Sequence, residues 1–170
     1  FSEGTSSRST KLVHGGIRYL KNFDVEVVSD TVSERSVVQS IAPHIPKPDP
    51  MLLPIYNDEG KTTFDMFSVK IAMDLYDRLA GIDEGSPYAN YTISPEEVLR
   101  REPLIKKKGL QGAGVYLDYR NNDSRLVIDN IKKAVEDGAK AISKMKVIDF
   151  IYTDGQISGV RARDLLTDAV

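Results

Sequence analysis

Between Asp24 and Ile41 the apolar residues Val25, Val28, Val32, Val38 and Ile41 recur at helical spacing, which predicts one helix with Asp24 as its N-cap. Pro43 ends it, and Pro46, Pro48 and Pro50 predict an extended connector. Met51 to Tyr56 reads as a short buried or edge strand, with Pro54 favouring the edge, and Asn57-Asp58-Glu59-Gly60 reads as a turn. Residues 63–80 predict a second helix. In it Phe64, Phe67, Ile71, Leu75 and Leu79 face one way, Thr62 or Thr63 caps the start and Gly81 stops the end. Ser94-Pro95-Glu96-Glu97 forms a capping box with proline at the first helical position, opening a short helix that ends at Glu102-Pro103. Residues 113–120 alternate: Val115, Leu117 and Tyr119 point one way, and Tyr116, Asp118 and Arg120 the other. The second face can wall a binding site or simply meet water. Residues 123–137 predict a helix with Leu126, Val127, Asn130, Ile131, Ala134 and Val135 along one side and Gly138 closing it. Lys146–Tyr152 and Ile157–Arg163 flank Thr153-Asp154-Gly155-Gln156, a β-hairpin signal. The order of elements reads as mixed α/β or α+β.

The start of the chain is less regular. Residues 6–20, SSRSTKLVHGGIRYL, open with hydroxylated residues and continue with helix-compatible ones. Gly15-Gly16 would cost about 1 kcal/mol each relative to alanine inside a helix, so the pair needs a reason, and close approach of another group to the backbone is the usual one.

Composition narrows the function classes. At 170 residues the chain fits one domain, or a domain and a fraction, and a compact domain of that size buries roughly 70% of its unfolded surface. Its 23 Lys plus Arg against 25 Asp plus Glu argue against a dedicated nucleic-acid binder. The absence of cysteine excludes disulfides, thiolate zinc sites, iron–sulfur clusters and a thiol nucleophile. No apolar run reaches the ~18 to 20 residues of a membrane span, and Phe1-Ser2-Glu3-Gly4-Thr5 carries no signal-peptide pattern. The expectation is a soluble, cytoplasmic-type piece cut from something larger.

Candidate chemistry is densest at residues 4–19. The hydroxyls of Thr5, Ser6, Ser7, Ser9 and Thr10 can donate to phosphate oxygens beside free N–H groups, or can simply furnish a cap. His14, one of two histidines, stands beside Gly15-Gly16, and Arg18 lies one helical turn on, able to fork onto a carboxylate or phosphate or to make a surface ion pair. His44 sits between Pro43 and Ile45 and reads as structural, and no metal site is expected from two histidines 30 residues apart. Lys106-Lys107-Lys108 reads as a solvated turn and Asn122-Asp123-Ser124-Arg125 as a cap. No P-loop, G-x-G-x-x-G or G-x-S-x-G occurs, so nucleotide-dependent chemistry would need residues outside this chain.

Thr5-Ser6-Ser7-Arg8-Ser9-Thr10-Lys11-Leu12-Val13-His14-Gly15-Gly16-Ile17-Arg18-Tyr19-Leu20 resembles the signature of FAD-dependent glycerol-3-phosphate dehydrogenases and α-glycerophosphate oxidases. The similarity continues through Glu34-Arg35, Ala42-Pro43-His44, Leu52-Leu53-Pro54-Ile55-Tyr56, Tyr76-Asp77-Arg78-Leu79-Ala80-Gly81, Glu102-Pro103-Leu104 and Asp123-Ser124-Arg125-Leu126. The resemblance implies an internal fragment of a two-domain flavoenzyme: part of a D-amino-acid-oxidase-like FAD domain plus an antiparallel-sheet substrate cap. Such enzymes oxidise sn-glycerol 3-phosphate to dihydroxyacetone phosphate, with FAD as cofactor and a quinone or O2 as electron acceptor. The unit that holds the FAD pyrophosphate would precede Phe1, and further phosphate-binding residues would follow Val170.

Carried onto this sequence, the resemblance divides the chain into flavin-side helices over residues 1–48, a cap over 49–120 and a return to the FAD domain over 121–170. Ser6, Ser7, Ser9, Thr10 and Lys11 would lie near FAD, and His14, Gly15 and Gly16 would run beside the isoalloxazine ring, the glycines admitting a flat ring. Val147, in the strand at Lys146–Ile148, would approach the adenine. His14 is the first candidate base, with an arginine from outside the chain as helper or substitute. Arg18 would pair with the substrate phosphate and Tyr19 would line the site. Two other readings stay open: a cap-containing piece without cofactor or catalysis, and another flavin oxidase acting on amines or hydroxy acids. A homodimer and peripheral contact with the inner face of the cell membrane are also left open, and no nucleic-acid partner is expected.

Overall fold

A computed structural model describes residues 1–57 and 65–170, so the turn expected at Asn57-Asp58-Glu59-Gly60, the Thr62 or Thr63 cap and Phe64 fall wholly or partly outside the described residues. Two compact units divide the chain, Arg8–Asp123 and Phe1–Ser7 with Ser124–Val170, and each is taken by itself.

The larger unit is built on an antiparallel sheet of β1 (Leu12–Val13), β2 (Lys47–Tyr56), β3 (Tyr91–Ile93) and β4 (Leu110–Arg120). β4 is central. β2 pairs with it from Lys47↔Arg120 to Tyr56↔Leu110. On its other side β1 pairs at Tyr119 and Arg120, and β3 at Ala113 to Val115. β2 therefore begins earlier than Met51, because the proline run is not a free connector. Pro48, Pro50 and Pro54 occupy alternate positions of a strand with a single partner, so their missing N–H groups fall on the outer edge and the ladder to β4 survives.

Two helices pack on one face of this sheet. α1 (Val25–Ile41) is the helix expected there, although the Asp24 side chain makes no capping bond. Its buried residues are Val28, Val32 and Arg35, while Val25 and Ile41 are exposed. α2 (Met66–Leu79) is capped by Asp65, whose carboxylate accepts from the Ser68 N–H at 2.7 Å. The apolar stripe expected on α2 is split: Leu75 and Leu79 are partly buried against the core, but the first half of the stripe turns outward. Phe67 and Ile71 are 74% and 52% exposed, whereas Val69, Met73, Tyr76 and Asp77 are buried. The stripe is set by the sheet: Val69 and Met73 pack over Gly114 of β4, where a Cβ would come within 2.9 Å of Val69 Cγ1. This core joins Ile17, Leu20, Val28, Val32, Ile55, Val69, Met73 and Tyr76.

The alternation read in β4 holds as geometry but not as exposure. Val115, Leu117 and Tyr119 are buried, yet Asp118 on the opposite face is only 2% exposed and Tyr116 is half-buried. That face lies under α1 and α2 rather than in water. On the other face Val98 of α3 (Pro95–Arg101) packs with Leu110 and Ala113. Ser94 caps α3 by accepting from the Glu97 N–H, while the Glu97 carboxylate turns to Arg100 and Arg101. These two guanidiniums hold Glu97 down to about 2.

The smaller unit contains α4 (Asp123–Glu136, all but its first residue) and a hairpin of β5 (Met145–Thr153) with β6 (Gln156–Asp164). The hairpin turn is Asp154-Gly155, at φ 52° and 77°, the positive pair that a two-residue turn of this hand requires. α4 buries no residue, and Val147, Phe150, Tyr152 and Ile157 of the hairpin are all more than half exposed. Among the described residues no helix is long and apolar enough to cross a membrane.

Candidate functional site

Residues 6–20 do not form the helix-compatible run the sequence suggests. The chain makes a 3-10 turn at Thr5–Ser7, the short strand β1, an irregular bend at His14-Gly15-Gly16 and a 3-10 helix at Ile17–Asn22. Lys11 has φ 62°, and its carbonyl accepts from the Asn121 N–H at 2.7 Å, which sets the course of β1. Ser9 accepts from the Lys11 N–H at 3.1 Å and donates to the Asp123 carboxylate. Lys11 Nζ stands 3.9 Å from the same carboxylate.

The bend is held by Gly15. Its N–H donates to the Tyr76 hydroxyl at 2.8 Å and to Asp118 Oδ1 at 3.2 Å, and its carbonyl accepts from the Thr31 hydroxyl at 2.9 Å. Tyr76 also donates to Asp118 Oδ1 at 2.8 Å. Arg35 donates to that oxygen at 2.8 Å, with its guanidinium 5.5 Å from the Tyr76 ring centre and 4.8 Å from that of Tyr119. Three elements, α1, α2 and β4, therefore converge on one buried glycine. A side chain at Gly15 would overlap Val32 and the Tyr76 hydroxyl, so close approach by the chain's own core explains this glycine. Gly16 has φ 68°, and a Cβ there would lie 2.7 Å from Tyr19 Cδ2. Burial and the Asp118 charge push the Tyr76 hydroxyl well above its ordinary range.

Rigid behind, the bend is open in front. His14, Arg18 and Tyr19 are exposed, and with Thr10, Tyr116 and Asp118 they line a cavity of about 430 Å³. Among the described residues neither His14 nor Arg18 makes a hydrogen bond or ion pair, so both are available to a ligand. Tyr116 is set in place by its neighbour Tyr76, ring centres 5.6 Å apart and edge to face. Of the residues singled out from the sequence, Thr10, His14, Gly16, Arg18 and Tyr19 share this cavity, with Gly15 immediately behind it. Ser9 and Lys11 are engaged with Asp123. Ser6, Ser7 and Val147 belong to the smaller unit. There the Ser6 carbonyl accepts from Ser2, the Ser7 hydroxyl donates to the Glu3 and Gly4 carbonyls, and Val147 pairs with Ala162. Arg35, Tyr76 and Asp118 are the residues that sequence reasoning missed. The signals were the polar side of the β4 alternation for Asp118, and for Arg35 and Tyr76 their place in segments that carry the family resemblance, which assigned them no role.

All of residues 1–170 match the DAO family, described as FAD dependent oxidoreductase. The chain belongs to that family. Among the FAD-dependent oxidoreductases it is 95% identical over 170 residues to the α-glycerophosphate oxidase of Lactococcus lactis subsp. lactis, covering all of this chain and 28% of that protein. It is 66% identical to the α-glycerophosphate oxidase of Enterococcus casseliflavus, over 99% of this chain and 27% of that one. The glycerol-3-phosphate dehydrogenase of Bacillus halodurans, solved with FAD, superposes over 99% of this chain and 25% of its own with a TM-score of 0.65 at 36% identity. The L-proline dehydrogenase of P. horikoshii shares the fold, with a TM-score of 0.61 at 19% identity. The chain thus spans about 28% of the length of its L. lactis relative.

The cavity suits the family's cofactor by the chemistry of its donors. A flavin ring offers carbonyl oxygens and ring nitrogens to hydrogen-bond donors. The Thr10 hydroxyl and the His14 imidazole supply such donors beside one opening. The glycine pair supplies no empty slot, because Val32, Tyr76 and Tyr19 already fill the space beside it.

Proposed function

We propose that this chain is the part of an α-glycerophosphate oxidase or glycerol-3-phosphate dehydrogenase that presents the flavin-facing bend and the substrate cap. The names of its relatives support the reaction, oxidation of the C2 hydroxyl of sn-glycerol 3-phosphate to dihydroxyacetone phosphate. Bound FAD supplies the two-electron acceptor for that oxidation. The oxidase names favour O2 over a quinone as the final acceptor.

In this reading His14 takes the proton of the C2 hydroxyl, Arg18 holds the phosphate, and Tyr19 lines the substrate. His14 and Gly16 stand beside the ring with Gly15 bracing them from behind, and Ser6, Ser7, Ser9, Thr10 and Lys11 contribute along the cofactor, with Val147 near its adenine. Residues 1–48 and 121–170 serve the flavin side, and residues 49–120, which carry β3, β4 and most of β2, the cap. The single observation that carries the proposal is the pairing in one cavity of a guanidinium and an imidazole that have no partner among the described residues, beside a backbone that the core holds still.

The test uses the full-length enzyme. Arg18→Ala should raise the KM for glycerol 3-phosphate far more than that for glycerol, because a charge-assisted bond to phosphate is worth about 1.5–3 kcal/mol. His14→Gln should slow flavin reduction, followed by stopped flow per bound flavin, by about 10²–10⁴-fold. Equal losses for both substrates, with reduction at the normal rate, would sink the assignment.

A further inference from the structure

The hydroxyl of Tyr116 has no role in the network behind the bend. Its ring packs edge-on against Tyr76 and joins the α1–α2 core, so its position is fixed. Among the described residues, however, the hydroxyl itself meets no hydrogen-bond partner, and the side chain lines the cavity that holds His14 and Arg18. Tyr76 makes the contrast plain, since its hydroxyl is spent on Gly15, Arg35 and Asp118. Half-buried polar groups normally find partners, so a rigid, unspent hydroxyl in a cavity is available to a ligand.

The chemistry of that ligand follows from charge. Burial, and then the Asp118 carboxylate, push Tyr116 up to about 12, while the nearby Arg18 and Arg35 guanidiniums pull it down. At neutral pH the group is therefore a phenol. It donates a hydrogen bond, and it does not act as a base. The cation beside it in the cavity is Arg18, so the partner best served by both is an anion with several acceptor oxygens.

We propose that Tyr116 is a substrate-specificity residue whose hydroxyl donates to the same anionic oxygens that Arg18 holds. On the reading given above, that group is the substrate's phosphate. The bend then contributes the charge, and β4, distant in sequence, contributes the neutral donor. An anion is gripped by two elements that Tyr76 and Asp118 fix relative to each other.

The experiment takes the full-length enzyme with its FAD and compares wild type with Tyr116→Phe. Inorganic phosphate is titrated into the resting enzyme and followed by the flavin absorbance, and KM is measured for glycerol 3-phosphate and for glycerol. The proposal expects the Kd for phosphate and the KM for glycerol 3-phosphate to rise together by about 10- to 100-fold, with a much smaller change for glycerol. FAD content and thermal midpoint should stay within error, because the hydroxyl supports nothing inside the protein. Unchanged phosphate affinity would overturn the proposal. So would a parallel loss for both substrates accompanied by a lower midpoint, the mark of a structural role. If glycerol 3-phosphate fails to reduce even the wild-type enzyme, the substrate reading falls. Phosphate titration then judges Tyr116 alone, and a 10- to 100-fold loss still supports it as an anion donor.

Discussion

At the residue scale, the main result is that an apparent active-site motif is held from behind by an ion pair. Arg35 and Asp118 have side chains 1% and 3% exposed and stand 2.8 Å apart. Desolvating two charges is expensive, and such a pair is tolerated only when its remaining valences are used. Here most of them are: Asp118 Oδ1 accepts from Arg35, Tyr76 and Gly15, and Arg35 also donates to the Leu117 carbonyl at 2.9 Å, although the buried Arg35 Nε meets no partner among the described residues. Replacing Arg35 alone should therefore be costly, because it leaves Asp118 charged, buried and without its counterion. Arg35→Met should cost about 3–5 kcal/mol in denaturant unfolding, and Arg35→Met with Asp118→Leu should cost clearly less than the sum of the two single changes. Strict additivity would deny that the two act as one unit. The tyrosines give a pH signature. Tyr116 is raised from 10 to about 12 and Tyr76 is raised further, so the folded state holds these protons more tightly than the unfolded chain does. Their contribution to stability is complete below pH 10; the Tyr116 part is lost as pH climbs through about 12, and the Tyr76 part at still higher pH. In an absorbance titration of phenolate, Tyr116→Phe and Tyr76→Phe should each match wild type below about pH 11 and differ only in the step that accompanies unfolding.

At the element scale, α2 shows how far a pattern can be trusted. The helix itself was readable, and so were Gly81 as its stop, α1, the capping box of α3 and the Asp154-Gly155 turn, because each rests on local backbone chemistry. Which face of α2 turns inward was not readable. Phe67, Ile71, Leu75 and Leu79 make as good a stripe as Met66, Val69, Met73 and Tyr76, and the choice lies in Gly114, more than 40 residues beyond the Val69 and Met73 that pack on it. The site divides the same way. His14 and Arg18 were legible as a compact motif, whereas Arg35, Tyr76 and Asp118 act through pairings that only the folded sheet creates. The contrast can be measured. Met73→Ala should cost about 2–5 kcal/mol and Phe67→Ser should stay within about 0.5 kcal/mol in denaturant unfolding. The reverse ranking would restore the face suggested by the apolar spacing.

At the scale of the whole molecule, the two units are unequally equipped. Residues 8–123 enclose both buried apolar clusters, whereas α4 and the hairpin present Ile148, Phe150, Tyr152, Ile157 and Val160 to the surroundings. A unit that buries so little apolar area has little to set against the entropy of ordering its chain. Hydrogen exchange on the isolated 170-residue chain should therefore show strong protection in α1, α2 and β4 and rapid exchange over residues 124–164. Uniform protection across both units would contradict this. In the full-length protein the same residues should become slow to exchange if the rest of the chain covers them.

The prolines of β2 carry a consequence for self-assembly. Positions 48, 50, 52 and 54 share the outer side of that edge, and three of them lack an N–H to offer. An incoming strand would meet carbonyls and almost no donors, so no second ladder could zip along it. Copies of this protein cannot polymerise by continuing the sheet past β2. Any oligomer it forms must be built from side-chain surfaces or from another edge.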